Sequence, residues 1–453
     1  MAESTTTAAD GPRLKRALNL WDLVLYGVIV LQPTAPMAIF GVINARGRGH
    51  VVTTILIALI AMLFTAIAYG RMARAYPSAG SAFTYVGQEI NPALGYITGW
   101  SMVMDYMLNP LICMIWCSEA SMRFAPGVPY WIWIIFYFLM FTGLNLRGVK
   151  TSARINAGLA TAMGLVVAIF FVAAARYIFG HPHDGLAFFT RPLYDPANFN
   201  LGAVMGGTSI AVLTYIGFDG ISTLSEEVEN PRRNILLATV LTCICVGLLS
   251  ASECYAAQLL WPYPEAFRDN DTAFIDVSTR AAGSWFFGVM NVTLIVANFG
   301  SGMAAQLGAA RLLYGMGRSN ALPKGFFGVV DPKRHVPRNA VIFVGVVALL
   351  GVALGMTYAL GAEMLNFGAL IAFMGVNAAA FVRYYLRATE KKLGNLIPPV
   401  VGFFVCLLLW LNLSRPAQIA GAIWMIVGIA FGVWKTRGFR GALIDFELPP
   451  EEA

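Results

Sequence analysis

Asp219 lies in the run TYIGFDG, between Gly217 and Gly220, in the middle of an apolar segment over 202–227. A charged side chain at the centre of a bilayer costs at least about 2.5–3.5 kcal/mol, and a glycine inside a helix costs about 1 kcal/mol relative to alanine. The two together predict an unwound stretch turned toward a cavity and away from lipid. A second run, LQPTAPM from Leu31 to Met37, places Pro33 and Pro36 inside the first long apolar segment. Each proline removes a backbone donor and clashes with the carbonyl four residues earlier, so this helix is expected to break too. An interrupted helix leaves amides unpaired where its second half starts and carbonyls unpaired where its first half ends. The amide end attracts anions and the carbonyl end attracts cations. The chemistry on offer is therefore non-covalent: capture of a zwitterion or an amine by backbone groups. Thr34, Ala35 and Met37 offer amides, whereas Pro33 and Pro36 offer none; the carbonyls of Val30, Leu31 and Tyr215 to Phe218 are available to an ammonium group.

Around the two breaks, Tyr106, Tyr215 and Phe218 are candidate gates or walls, and Asn109, Asn298, Ser301 and Asn366 are candidate polar linings. Gln32, Ala38, Ile216 and Gly217 complete the candidate substrate site. Helix packing accounts better for any one of these aromatics taken alone; their convergence on two breaks is what suggests a pocket. Asp105, Glu119 and Asp219 supply carboxylates within apolar segments, and Asp105, Asp219 and Glu226 are the candidate coupling or gating groups. Glu226 and Glu227, at the end of their segment, are read as partners of the basic loops. No catalytic residue, metal ligand or cofactor site is expected: the four histidines, His50, His181, His183 and His335, fall in loops, and a membrane-embedded enzyme would need a nucleophile-base pair or a metal constellation within the spans. A GxxxxGK[ST] motif is absent, which argues against ATP-driven transport within this chain. The run NFGSGM offers only Ser301 and backbone carbonyls to a sodium ion, so proton coupling through a carboxylate, exchange or facilitated diffusion fits better.

The elements that must position these groups are membrane helices. Of 453 residues, 58% are hydrophobic and 12% charged, with mean hydropathy +0.67; soluble domains carry about twice that charged fraction. Apolar runs of about 20 residues, the length a bilayer core demands, recur over 20–44, 51–72, 92–122, 128–146, 155–179, 202–227, 234–260, 282–307, 339–358, 363–386, 396–413 and 416–434. Twelve transmembrane helices of an all-α polytopic membrane protein are expected. The polar opening MAESTTTAADGPRLKR has no apolar core followed by a cleavage site, so no signal peptide is expected. With an even number of spans, 23 of the 31 Lys and Arg residues fall on one face and 8 on the other. The positive-inside bias then puts both termini in the cytoplasm, and it accounts for the net charge of +7 without a nucleic-acid partner. All six cysteines lie in or beside the spans and read as packed thiols.

Four further motifs occur in order: YPSAGSAFTYV after the second span, LNLRGVKTSARIN entering the fifth, GFDGISTLSEEVENPRRNI at the sixth and ARLLYGMGRSNALP after the eighth. In them the chain resembles the amino acid-polyamine-organocation (APC) superfamily of permeases, over about Leu20 to Leu413. Within it the chain is most similar to the bacterial putrescine-importer branch, through the proline-containing break, the pair Asp105 and Tyr106, and NFGALIAF at Asn366. The resemblance implies the leucine-transporter fold, two inverted repeats of five helices with broken first and sixth helices and two further helices. It divides the chain into a cytoplasmic segment 1–19, a first repeat 20–179, an extracellular loop 180–201, a second repeat 202–386, two added spans within 387–434 and a cytoplasmic tail 435–453. It implies a secondary permease of the bacterial cytoplasmic membrane, taking a small-molecule amino acid or amine by alternating access; a polyamine importer and a non-transporting sensor are the alternatives. Two positions depart from the relatives. Ala38 stands where the putrescine branch carries an aspartate, and Met163 stands where some proton-coupled relatives carry a lysine.

Overall fold

A computed structural model describes residues 18–76, 81–147, 153–224, 228–318, 321–331, 334 and 336–436. Among these the chain is helical, with no strand beyond one isolated bridge between Leu18 and Val228. In order, the helices are α1 (Leu20–Leu31), α2 (Ala35–Arg46), α3 (Val51–Ala75), α4 (Ser81–Glu89), α5 (Pro92–Phe124), α6 (Tyr130–Arg147), α7 (Ala153–Gly180), α8 (Leu186–Thr190) and α9 (Leu201–Ala211). There follow α10 (Pro231–Leu260), α11 (Ala273–Ala282), α12 (Ser284–Arg318), α13 (Lys324–Phe327), α14 (Arg338–Ala353), α15 (Tyr358–Phe381), α16 (Leu393–Leu411) and α17 (Arg415–Thr436). Among the described residues, nine stretches are long and apolar enough to cross a membrane, against the twelve expected. The shortfall has local causes. The first expected span is split into α1 and α2; the third falls in α5, whose hydropathy is lowered by Ser101, Asp105, Asn109, Ser118 and Glu119; the ninth is α14, only 16 residues long.

The first break is sharp and well capped. Asn19 opens α1 as a capping box, accepting from the amides of Trp21 at 2.8 Å and Asp22 at 3.1 Å, while Asp22 accepts from the Asn19 amide at 2.9 Å. The helix stops at Leu31 because Gln32 takes φ 60°, which L residues rarely adopt. Pro36 then falls in the first turn of α2, where a missing donor costs nothing. The second break follows α9, itself capped by the Asn200 side chain. Two 3₁₀ turns, Val212–Tyr215 and Phe218–Leu224, are separated by an extended Ile216 and by Gly217 at φ 120°.

Glycines set how closely the helices approach. Antiparallel α3 and α10 touch at Gly70, where an added Cβ would come within 2.7 Å of the Leu236 Cα, and at Gly247, which faces Leu59 and the Tyr215 hydroxyl. Helix α17 lies against α5 through stacked Trp100 and Trp424, 4.7 Å apart, each indole N–H donating to the other residue's carbonyl, at 2.9 and 3.1 Å. At the end of the bundle holding α4, the buried Glu89 carboxylate accepts from Tyr76 at 2.8 Å and pairs with Arg383 and with Arg387. Overpacking a helix contact costs about 1–3 kcal/mol. Gly70→Val is therefore expected to lower the unfolding temperature of the detergent-purified protein by several degrees on that account, while Gly143→Ala, whose Cβ would meet nothing, leaves it unchanged; fluorescence-detected unfolding compares them.

Candidate functional site

The two breaks lie in one packed region. Helix α2 packs on α9 and α1 packs on the second 3₁₀ turn. From α5, the Tyr106 hydroxyl donates to the Asp219 carboxylate at 2.8 Å. The same carboxylate accepts from the backbone amides of Gly217, Asp219 and Gly220, and the Ser222 hydroxyl donates to the Asp219 carbonyl at 2.6 Å. Asp219 thus acts as a cap on its own break, its carboxyl group set where the second half of the segment presents its amides. It is 3% exposed. Asp105, one residue before Tyr106 and 4% exposed, has no side-chain hydrogen bond or ion pair among the described residues. Tyr69 reaches the same place from α3: its hydroxyl is buried without a partner, within electrostatic reach of Asp219 and Asp105.

The amides of the first break are closed locally. Ala35 donates to the Gln32 carbonyl and Met37 to the Thr34 carbonyl, each at 3.1 Å. This corrects the expectation that these two amides are free for a substrate carboxylate: the turn through Gln32 brings its carbonyl back onto the start of α2. The Gln32 side chain donates to the Ala297 carbonyl on α12 at 2.8 Å, tying the break to that helix. Thr34, 1% exposed, points its hydroxyl at the Met163 sulfur of α7, 3.9 Å away. Ala38 is buried and its carbonyl accepts from the Trp116 indole at 3.2 Å. One helical turn beyond Ala297, half-buried Ser301 bonds Cys113, which donates to Asn109 at 3.3 Å, forming a polar seam between α5 and α12.

Other residues named from the sequence are engaged in holding the scaffold. Phe218 is fully buried in an aromatic cluster with Tyr69 and Phe373, its ring 5.4 and 5.2 Å from theirs. Tyr215 is buried and donates to the Ile55 carbonyl at 2.9 Å, joining the second break to α3. Asn366, also buried, donates to the carbonyls of Ser209 and Ile210, the last turn of α9, at 2.7 and 3.3 Å. Ile216 is half-buried in the extended link, and Asn298 donates within its own helix to Leu294. Glu226, with Glu227, lies outside the described residues. Sequence reasoning missed Tyr69 and Trp116, because nothing local to an apolar helix marks which of its aromatics faces a break two helices away.

Comparison with known proteins gives the following. The amino acid permease family matches residues 35–430. The low-affinity putrescine importer PlaP of Escherichia coli K12 is 32% identical over 452 residues, which cover 99% of each chain. The branched-chain amino acid permease BcaP of Bacillus subtilis is 25% identical over 444 residues and 92% of each chain, and the methylthioribose transporter of the same organism is 23% identical over 451 residues and 94% of each.

The positive φ at Gly217 sets the two glycines of the second break apart. A non-glycine residue held at such an angle costs about 1–3 kcal/mol. Gly217→Ala is expected to lose stability on that scale in thermal unfolding, while Gly220→Ala, whose Cβ would meet open space, is tolerated; equal behaviour of the two variants would contradict the assigned break.

Proposed function

Because the chain belongs to the amino acid permease family, we propose that it carries small amines, held through their ammonium groups at the paired breaks, across the cytoplasmic membrane by alternating access. That it is a permease for an amino acid or an amine follows from the family; the amine is the narrower reading. What supports it is the use made of the backbone amides. Asp219 takes those of the second break, and Ala35 and Met37 spend theirs within the first, so the groups that would receive a substrate carboxylate are largely engaged. Asp105, meanwhile, is a buried carboxyl group with no hydrogen bond or ion pair among the described residues, and such a group is stable only with a proton of its own or a counter-charge beside it. The relative named as a putrescine importer points the same way. The reading of a neutral amino acid draws on the branched-chain permease relative and on the apolar Met37 and Ala38 beside the break.

The mechanism follows from this reading. An ammonium entering between α1, α5 and the second 3₁₀ turn meets Asp105 and the Tyr106–Asp219 pair, and leaves on the opposite side when the break regions re-pack against α3 and α12. No ATP, metal or cofactor takes part, and no sodium site is invoked. A proton-coupled cycle would run through Asp105, since Met163 beside Thr34 has no proton to exchange. Adding the split α1–α2 span, α5 and α14 to the nine long apolar stretches gives twelve crossings, with breaks five crossings apart, in keeping with an inverted five-plus-five repeat in the leucine-transporter fold. The basic face that includes Arg383 and Arg387 is the cytoplasmic one, so both termini are cytoplasmic.

In proteoliposomes, uptake of labelled 1,4-diaminobutane is expected to resist an excess of leucine and to yield to unlabelled diamine. Asp105→Asn is expected to cut that uptake at least about tenfold, the scale of one lost charged hydrogen bond. Complete competition by leucine with none by diamines would replace the amine by a neutral amino acid.

A further inference from the structure

Three carboxyl groups gather beside the first break on the face that this reading makes extracellular. Glu119, near the end of α5, is in hydrogen-bond contact with Asp271, in the loop 261–272 before α11. Two carboxyl groups meet in this way only with a proton between them. Asp269 adds its charge to both while its oxygens accept from the Asp271 amide and the Thr272 hydroxyl. Among the described residues no Lys or Arg pairs with any of the three; Arg123, one turn beyond Glu119, is committed to Asp276. One Glu119 oxygen is buried with no hydrogen-bond partner among the described residues.

A separate observation points to a ligand. Tyr358, the first residue of α15 and 3% exposed, reaches the same group: it lies within electrostatic reach of Asp271 and Glu119, and its hydroxyl has no hydrogen-bond partner among the described residues. Trp116 fixes where this happens. Its indole N–H donates both to the Asp271 carbonyl at 2.7 Å and to the Ala38 carbonyl at 3.2 Å, so it bridges the loop to α2, beside the direct contact of Gly41 with the Asn270 carbonyl. Unbalanced negative charge and a hydroxyl without a hydrogen-bond partner among the described residues call for a cation that also donates hydrogen bonds, and an alkylammonium has three donors. The described residues hold no cluster with the arrangement for a metal ion.

We infer that Glu119, Asp271 and Tyr358 form a binding site for the primary ammonium group of a small organic amine, beside α2 and outside the first break. The choice of amine as ligand rests on the function proposed above; the site's geometry does not. Binding displaces the proton shared by the two carboxyl groups. Burial first, and then the Asp269 charge, push the Asp271 carboxyl up to about 6, so acidification through that range adds a second proton to the pair and weakens binding. The other titratable groups within electrostatic reach of the pair are Asp269 in the same loop, Tyr130 at the start of α6 and Tyr358 on α15; Cys113 and Cys117 of α5 reach Tyr358.

The test is binding to the full chain in detergent, read as the ligand-induced rise in unfolding temperature, with 1,4-diaminobutane, propylamine and leucine as probes at about pH 5 and about pH 8. Both amines are expected to stabilise the protein more at the higher pH. Glu119→Gln and Asp271→Asn are each expected to weaken their apparent affinity at least about tenfold, as loss of a charged hydrogen bond does, and to flatten the pH dependence; Tyr358→Phe weakens it less and keeps the pH dependence. Asp271→Asn lies in a loop and serves if Glu119→Gln does not fold. Unchanged amine binding in the carboxyl variants, or no stabilisation of the unmodified chain by either amine, overturns the site. Uptake by the same variants in proteoliposomes separates the two proposals: binding without uptake refutes the permease cycle and leaves the site standing, whereas uptake with carboxyl variants that bind normally refutes the site alone.

Discussion

Inside a bilayer no water is at hand to satisfy a backbone amide or carbonyl, so every departure from helix must be answered by protein. This constraint organises the molecule. The chain departs from helix twice within long apolar segments, after Leu31 and after Ala211, and at both places the freed groups are met by nearby partners. The Gln32 carbonyl turns back to the amide of Ala35, and the Asp219 carboxylate gathers three amides of its own turn. The amides freed at the first break are therefore engaged within the protein. The same accounting suits Asn366, polar and wholly buried, which is bonded to the carbonyls of Ser209 and Ile210 at the end of α9, where a helix runs short of amide donors.

The breaks keep their shape because the surrounding helices are close and rigid. Gly70 and Gly247 let α10 settle on α3, and Tyr215 and Phe218 fill the space so formed with ring contacts and one hydrogen bond. In lipid, where apolar burial gives little drive for helices to associate, small residues at the contacts and hydrogen bonds between helices carry that role. Rigid aromatic walls with a few polar groups set between them are also what a selective pocket requires.

Much of the architecture was legible in the sequence because its signals are local. Proline in LQPTAPM and glycine in TYIGFDG punctuate helices through the geometry of their own residues, and both breaks occur where the letters put them. The length and apolarity of segments announced a helical membrane protein, although α5 and α14 do not reach the threshold of a simple span, one for its polar residues and the other for its length. The pairing of Tyr106 with Asp219 could be approached from proximity to the breaks. What was not legible depends on helix rotation and on distant partners. Nothing in the text of α3 marks Tyr69 as facing Asp219, and nothing in α15 marks Asn366 as bound to α9 instead of lining a pocket. The closing of Ala35 and Met37 depends on a backbone angle at Gln32 that residue type alone does not announce.

The clasp between Trp100 and Trp424 bears on how such a molecule can move. Each indole donates to a carbonyl of the other residue, and the Tyr96 hydroxyl adds a third bond, to the Gly428 carbonyl. Parting α5 from α17 would strand these donors in hydrocarbon, at about 1–3 kcal/mol apiece, with the ring stacking lost as well. The two helices consequently travel as one body. Any rearrangement of the bundle that keeps these bonds carries α5 and its polar seam together with α17.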